Sequence, residues 1–401
     1  MGKILLRGAR LIDGTGRPPQ SEAAVLLEGN RITAVGPQEE VSAAEGARVY
    51  DLEGKTLLPG LIDCHVHISM EPDAEPTRRL REESDLLLIL RGARNAWRSL
   101  QAGYTTLRSL GGRGLVDLEL KRAIQGGVIN GARLLVAGQL LTMTGGHGHF
   151  IGREVDGPHQ LRQAAREEIK KGADVIKVMA TGGVLTPGVE PGSAQLTREE
   201  MQAAIEEAHK AGKKTAAHAQ GSEGIKNAIL AGVDSIEHGM FLTDEIIDLM
   251  LQRKVFLVPT LAAAHHIFYG GREHGIPEYA IKKTERVMEA HWQSLQRAHR
   301  AGVLIAAGTD AGTPLNAHGQ NAFELELLVK AGFSPMEAIQ AATSRAAQLL
   351  GREDLGTIEV GRIADLVVVD GDPLVDIRVL REKVSLVFQD GRPVERGLFG
   401  N

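Results

Sequence analysis

The strongest constraint on this chain is a two-part pattern in its middle. A short apolar run is followed by a longer stretch of helical periodicity, and the unit recurs along the sequence. The apolar runs predict strands at 60–67, 105–110, 133–138, 175–180, 215–219, 235–238, 256–259 and 304–309. The helical stretches carry start and stop signals. Thr197-Arg198-Glu199-Glu200 reads as a capping box, followed by Met201, Ala204, Ile205 and Ala208 on one face and Gly212 at the stop. Ser334-Pro335-Met336-Glu337 is a second box, with proline at the first helical position and Gly351 at the end. Eight strand–helix units over roughly 290 residues predict an α/β chain whose parallel sheet closes into a (β/α)8, or TIM, barrel. A doubly wound open sheet is the alternative, but no Gly-x-Gly-x-x-Gly follows a strand in the right setting.

The two ends differ from the middle. Segments 3–11, 23–28 and 31–35 alternate apolar and polar residues between turns such as Asp13-Gly14-Thr15-Gly16, and 364–370 and 384–388 return to that character. The expected organisation is therefore a barrel over 60–350, plus a small β-sandwich assembled from both termini, 1–59 and 351–401. Charge is close to balance, with 46 basic and 51 acidic side chains. No block of one sign suggests nucleic acid or an anionic membrane as partner. Aromatic residues make up only 3%, which disfavours stacking on bases or sugars. The single cysteine, Cys64, allows no internal disulfide, and the apolar run near Met1 is too short for a signal-peptide core. A cytoplasmic enzyme is expected, with a small-molecule substrate, no nucleic-acid or membrane partner, and assembly as a homo-oligomer.

Barrel enzymes keep their chemistry at the C-terminal ends of the strands. In Leu61-Ile62-Asp63-Cys64-His65-Val66-His67-Ile68 the alternation of a strand puts His65 and His67 on one face, which is half of a metal chelate. The fourth strand carries Lys177 among apolar neighbours, the fifth ends at His218, the sixth at His238 and the eighth at Asp310. Each has an ordinary structural reading: a strand-terminal histidine as a hydrogen-bonded rim residue, Asp310 as a helix cap, Lys177 reaching for the barrel mouth. Their coincidence on five of eight strand ends favours a metal site. Long Gly/Pro-rich stretches at 138–160, 181–196 and 262–279 are expected to be lids or binding loops. In the first, Thr144-Gly145-Gly146-His147-Gly148-His149 makes His147 the candidate for binding a substrate carboxylate or oxyanion, against the reading of a solvated loop histidine. His265-His266 and His318, placed on loops after strands seven and eight, are weaker candidates for substrate contact.

These residues resemble the amidohydrolase superfamily over nearly the whole chain. The resemblance lies in Gly8-Ala9-Arg10-Leu11-Ile12-Asp13-Gly14, in Leu58-Pro59-Gly60 leading to His65 and His67, and in Gly356-Thr357-Ile358-Glu359-Val360-Gly361-Arg362-Ile363-Ala364-Asp365-Leu366. It implies two divalent metal ions, taken as Zn2+, bridged by a CO2-derived carbamate on Lys177. His65, His67 and Asp310 would hold the more buried ion, and His218 and His238 the more exposed one. It also implies a bridging hydroxide as nucleophile, with the catalytic Asp310 as general base and then acid. Thr181-Gly182-Gly183, Ser235-Ile236-Glu237-His238-Gly239 and Pro259-Thr260-Leu261 are similar to the Xaa-Pro dipeptidase-like, imidazolonepropionase-related branch. The implied reaction is amide hydrolysis of a dipeptide or N-acyl amino acid. Met240-Phe241, where that branch often places a tyrosine hydroxyl, keeps open a non-peptide ester, lactone, carbamate or organophosphate on the same centre. A barrel that has lost catalysis and serves only as a binding protein would be expected to lack ligands, and all six positions are filled.

Overall fold

The computed structural model describes residues 2–43 and 45–395. The chain forms two compact units. One comprises the chain up to Asp63, Trp97–Thr106 and the chain from Gly319 onward; the other comprises Cys64–Ala96 and Leu107–His318.

In the first unit, strands from both ends of the chain pair into one eight-stranded sheet. The N-terminal side supplies Lys3–Leu11, Gln20–Glu28, Arg31–Pro37, Arg48–Asp51 and Lys55–Pro59; the C-terminal side supplies Leu366–Asp370, Val384–Gln389 and Arg392–Pro393. The seam is antiparallel, from Leu366 opposite Pro59 to Asp370 opposite Lys55. Period-2 alternation sorts the side chains. Ile4, Leu6, Val25, Leu27, Leu57, Leu366, Val368 and Phe388 pack in one cluster, while Leu5, Ala24 and Leu26 pack with Val41 in another. Each fully buried Leu, Val or Phe stabilises the unit by about 1.5–3 kcal/mol. The pairing that holds the two ends together is thus a single mixed sheet. The second capping box is present in this unit, with Ser334 and Glu337 bonding reciprocally at the start of Pro335–Ala341.

In the second unit Val175–Met179, Lys214–Ala219, Ser235–His238 and Phe256–Val258 pair in parallel and in chain order. All but Lys214 are buried, as expected of parallel strands covered on both faces. Helices Arg198–Lys210, Ser222–Ala231 and Asp244–Arg253 connect them, the first opened by the expected Thr197–Glu200 box. Within this unit, residues 64–66, 107–109 and 133–136 belong to a three-stranded sheet.

Two expectations are corrected. Segment 304–309 is not a strand. It makes one isolated bridge, Leu257 to Ile305, though Cys64 N donates to Ala307 O at 2.9 Å and Asp310 N to His65 O at 2.7 Å. Gly308 packs so closely on Val258 and the His65 backbone that a Cβ would lie 2.4 and 2.9 Å from them, and Asp310 then turns to φ 60°. Segment 262–279 is not one long loop: Leu261–Gly270 is helical, because the helix-forming run Ala262-Ala263-Ala264 buries its side chains, and only 271–277 connect it to the next helix. Among the described residues no helix is long and apolar enough to cross a membrane.

Candidate metal centre

Five imidazoles lie in a contiguous arc within the second unit. Ring centroids are 5.5 Å apart for His67–His65, 5.2 Å for His65–His238, 4.5 Å for His238–His218 and 4.4 Å for His218–His147. Strand alternation puts Lys177 with Met179 towards a cleft that His218, at the end of the next strand, also lines. Alternation alone would turn His238 away from Glu237's side. Its left-handed backbone, φ 73°, brings it into the same cleft. Asp310 (φ 60°) and Thr260 (φ 52°) share this conformation, and each such residue costs roughly 1–3 kcal/mol. The cleft has about 750 Å³ of free space counting its open mouth. Met70, Leu140, Phe150, Ile151, Met179 and Met240 contribute to its apolar wall.

The hydrogen bonds assign the tautomers. His67 Nδ1 lies 2.9 Å from Gly111 O and His218 Nε2 lies 3.1 Å from Gly182 O; a carbonyl only accepts, so both nitrogens carry protons. His65 Nδ1 donates to Glu237 Oε2 at 2.9 Å. The Thr260 hydroxyl gives its proton to Pro259 O at 2.7 Å, so it accepts from His238 Nδ1 at 2.6 Å. The other ring nitrogens are then the unprotonated ones, and they lie close to one another or to Asp310. His218 Nδ1 and His238 Nε2 are 2.9 Å apart, while His65 Nε2 and His67 Nε2 are 3.4 and 3.3 Å from Asp310 Oδ1. That oxygen is buried without a hydrogen-bond partner. Ligand atoms of His65, His238 and Asp310 lie within 4.8 Å of one another. Electron pairs directed at one another in a buried space are repulsive unless a cation lies between them, so this donor set fits divalent metal.

Electrostatics point the same way. Burial, then the Lys177 charge, lowers the His65 pKa to about 4, and burial lowers that of His147 to about 3. Burial also pushes His218 and His238 well down, so the rings are neutral near pH 7. Burial opposes ionisation of Asp310, but the neighbouring His65, His67 and His238 imidazoles hold its pKa low. With His65 neutral above about pH 4, the Lys177 ammonium and a bound cation are the counter-charges open to Asp310. Burial draws Lys177 down to about 8.

A sequence profile described as the amidohydrolase family matches residues 56–394. The chain belongs to that family. It is an amidohydrolase, a hydrolase acting on carbon–nitrogen bonds, with the TIM-barrel-type α/β fold of its structural neighbours. The ochratoxinase of Aspergillus niger is 32% identical, the alignment covering 95% of this chain and 84% of that one. A Xaa-Pro dipeptidase crystallised with methionine in its active site is 36% identical with a TM-score of 0.91, covering 98% of this chain and 100% of that chain. A prolidase in complex with N-methylphosphonate-L-proline is 32% identical with a TM-score of 0.92, covering 98% and 100%.

In this amidohydrolase the six expected ligand positions, His65, His67, Lys177, His218, His238 and Asp310, line one cleft, together with His147. His147 is buried rather than solvated, its Nδ1 2.7 Å from Thr186 Oγ1. His265 and His266 lie on the Leu261–Gly270 helix, and His318 Nε2 donates to the carbonyl of His67 at 3.2 Å. Two further residues stand behind the arc. Glu237 holds His65, and Arg108 Nη2 holds Glu237 Oε1 at 2.9 Å while Nη1 donates to Ser235 Oγ at 3.1 Å. The signal was present: each is a lone charge inside an otherwise uncharged, buried strand, and Ser235 and Glu237 share a face.

Proposed function

We propose that this amidohydrolase cleaves the amide bond of a dipeptide or N-acyl amino acid, with two divalent ions, zinc by ligand type, in the cleft. His65, His67 and Asp310 would hold one ion, His218 and His238 the other, with Lys177 as a carbamate between them. The observation that carries this reading is the approach of His65 Nε2 and His67 Nε2 to Asp310 Oδ1, with a His238 ligand atom within 4.8 Å of those of His65 and Asp310 and His218 Nδ1 2.9 Å from His238 Nε2. Bound there, the ions would polarise the scissile carbonyl and lower the pKa of a shared water towards neutrality. Asp310, ionised at neutral pH, accepts the proton of the attacking water and returns it to the departing amine. Lys177, with its pKa drawn to about 8, is neutral in a useful fraction of molecules and so able to take up CO2. Glu237 and Arg108 hold His65 in the tautomer whose Nε2 is unprotonated. The Nε2 edge of His147 binds the carboxylate or developing oxyanion of the substrate. The amino-acid ligands of the two crystallised relatives, methionine and an N-phosphonylated proline, support a leaving group of that kind.

The architecture behind this site is read as a closed barrel over 60–350, with 1–59 and 351–401 as a β-sandwich, in a cytoplasmic homo-oligomer. The apolar wall, including Met240 directly after the His238-Gly239 turn, favours a second reading. In it an aryl or acyl carbamate, ester, lactone or organophosphate occupies the same centre. A panel of dipeptides, N-acyl amino acids, aryl carbamates and lactones offered to the metal-loaded enzyme separates the two. Turnover confined to the carbamates and lactones would overturn the first.

A further inference from the structure

Lys283 stands on the helix Glu278–Ala301, outside the histidine arc, and is buried. Its Nζ donates to three carbonyls of one loop: Thr186 O at 2.7 Å, Val189 O at 2.5 Å and Gly183 O at 3.4 Å. An ammonium has three N–H bonds and accepts none, so three carbonyls are its full complement. The adjoining turns of the same helix face act on the same loop. Tyr279 Oη donates to Leu185 O at 3.2 Å, and Arg286 Nη2 pairs with Glu190 Oε2 at 2.8 Å. Residues 183–190 are thus held from one side by three successive turns.

The other side of that loop faces the cleft. Val184 and Leu185 line it, and Thr186 Oγ1 meets both His147 Nδ1 at 2.7 Å and Gly148 N at 3.3 Å. Gly183 lies so close to the His147 ring that a Cβ would be 2.2 Å from Nε2. The register of the loop and the aim of His147 are therefore one geometric unit. A buried cation satisfied only by backbone carbonyls keeps its loop in place, because either partner alone is left desolvated and unpaired.

We propose that Lys283 is a positioning residue that fixes loop 183–190 and, through Thr186, the orientation of His147, and so sets how tightly the cleft holds its substrate without entering the bond-breaking step. The inference rests on His147 as a substrate-binding group and deepens that reading by naming what governs it.

The test uses the metal-loaded enzyme with Lys283→Met, Lys283→Arg and Thr186→Val. In Lys283→Met, amide hydrogen exchange across 183–190 should quicken at least about tenfold, with the Val175–Met179 and Lys214–Ala219 strands and the metal content unchanged. For an N-acyl amino acid turned over by the wild type, KM should rise about tenfold with kcat within about twofold. Thr186→Val should raise KM similarly, the double variant should be no worse than Lys283→Met, and Lys283→Arg should recover part of both effects. Unchanged exchange in the loop, multiplying effects in the double variant, or a loss of kcat at constant KM overturns the proposal. Where Lys283→Met does not accumulate as folded protein, Thr186→Val alone still tests it, an unchanged KM being the contrary result. If the wild type cleaves no amide, the proposed reaction falls, whereas the exchange measurement still tests the anchoring by Lys283.

Discussion

Glu237 accepts the Nδ1–H of His65 at 2.9 Å on one carboxylate oxygen, while its other oxygen takes the Arg108 guanidinium at 2.9 Å. Both neighbours are buried, so burial, which opposes ionisation of Glu237, is outweighed by Arg108 and then by His65, and the carboxyl stays ionised. The pair fixes which nitrogen of His65 is unprotonated. Glu237→Gln removes the charge and leaves Arg108 buried without a counter-ion. The variant should lose about 3–5 kcal/mol of stability and about 10–100-fold in metal affinity. Denaturant unfolding and metal titration read the two separately, and wild-type values in both would contradict the relay.

Lys177→Ala removes the group assigned to bridge the ions. Divalent metal per chain should fall, and turnover should drop by on the order of 100-fold or more. Labelled bicarbonate should give a carbamate carbon signal in the wild type and none in the variant. Wild-type metal content persisting in Lys177→Ala would argue against the bridge.

Asp310→Asn keeps an oxygen facing His65 and His67 but cannot take a proton. Part of the metal should remain while kcat falls by about 100–10,000-fold. Near-normal turnover would remove Asp310 from proton transfer.

The depressed histidines make the metal-free protein acid-sensitive. His65 titrates near 4 in the fold, against 6.5 in the unfolded chain. Between those values the unfolded state binds more protons than the folded one, so stability rises with pH across this window and is fully present above about 6.5. Acidification from about pH 6.5 to 4 should therefore remove on the order of 3 kcal/mol through His65 alone, with His147 adding to the loss. Bound metal should be released in the same range, since protons compete for the same lone pairs. A flat denaturation midpoint from pH 7 to pH 4 would contradict the neutral-ring assignment.

Gln220 follows His218 by two residues, lines the cleft and buries a side-chain oxygen without a partner. Gln220→Met should leave the resting enzyme as stable or about 1 kcal/mol more so, while weakening substrates that carry a hydrogen-bond donor near the scissile bond. Equal KM for donor-bearing and donor-free substrates in the variant and the wild type would show that the amide reads nothing.

Much of the site was legible in the sequence because its signals are local. Strand alternation places His65 and His67 together, strand ends mark His218 and His238, and a lysine among apolar neighbours stands out at any distance. Capping boxes at Thr197 and Ser334 are likewise contained within four residues, and both formed. The failures have a common cause. Segment 304–309 has the composition of a strand, yet Gly308 must fit against His65, a residue far away in the chain. Arg108 and Glu237 were visible as isolated charges, but nothing along the chain says that they meet each other.

By itself, then, the sequence determined the α/β pattern, the pairing of the two β-rich ends and the identity of the residues gathered in the cleft, because each depends on periodicity and short-range stereochemistry. Only the tertiary structure decided which nitrogen of each ring is unprotonated, that His238 turns inward through a left-handed backbone, and that Lys283 holds the loop behind His147. Those depend on carbonyls and carboxylates brought within 3 Å or so from distant strands, and a hydrogen bond's partner is set by position in space rather than by order in the chain.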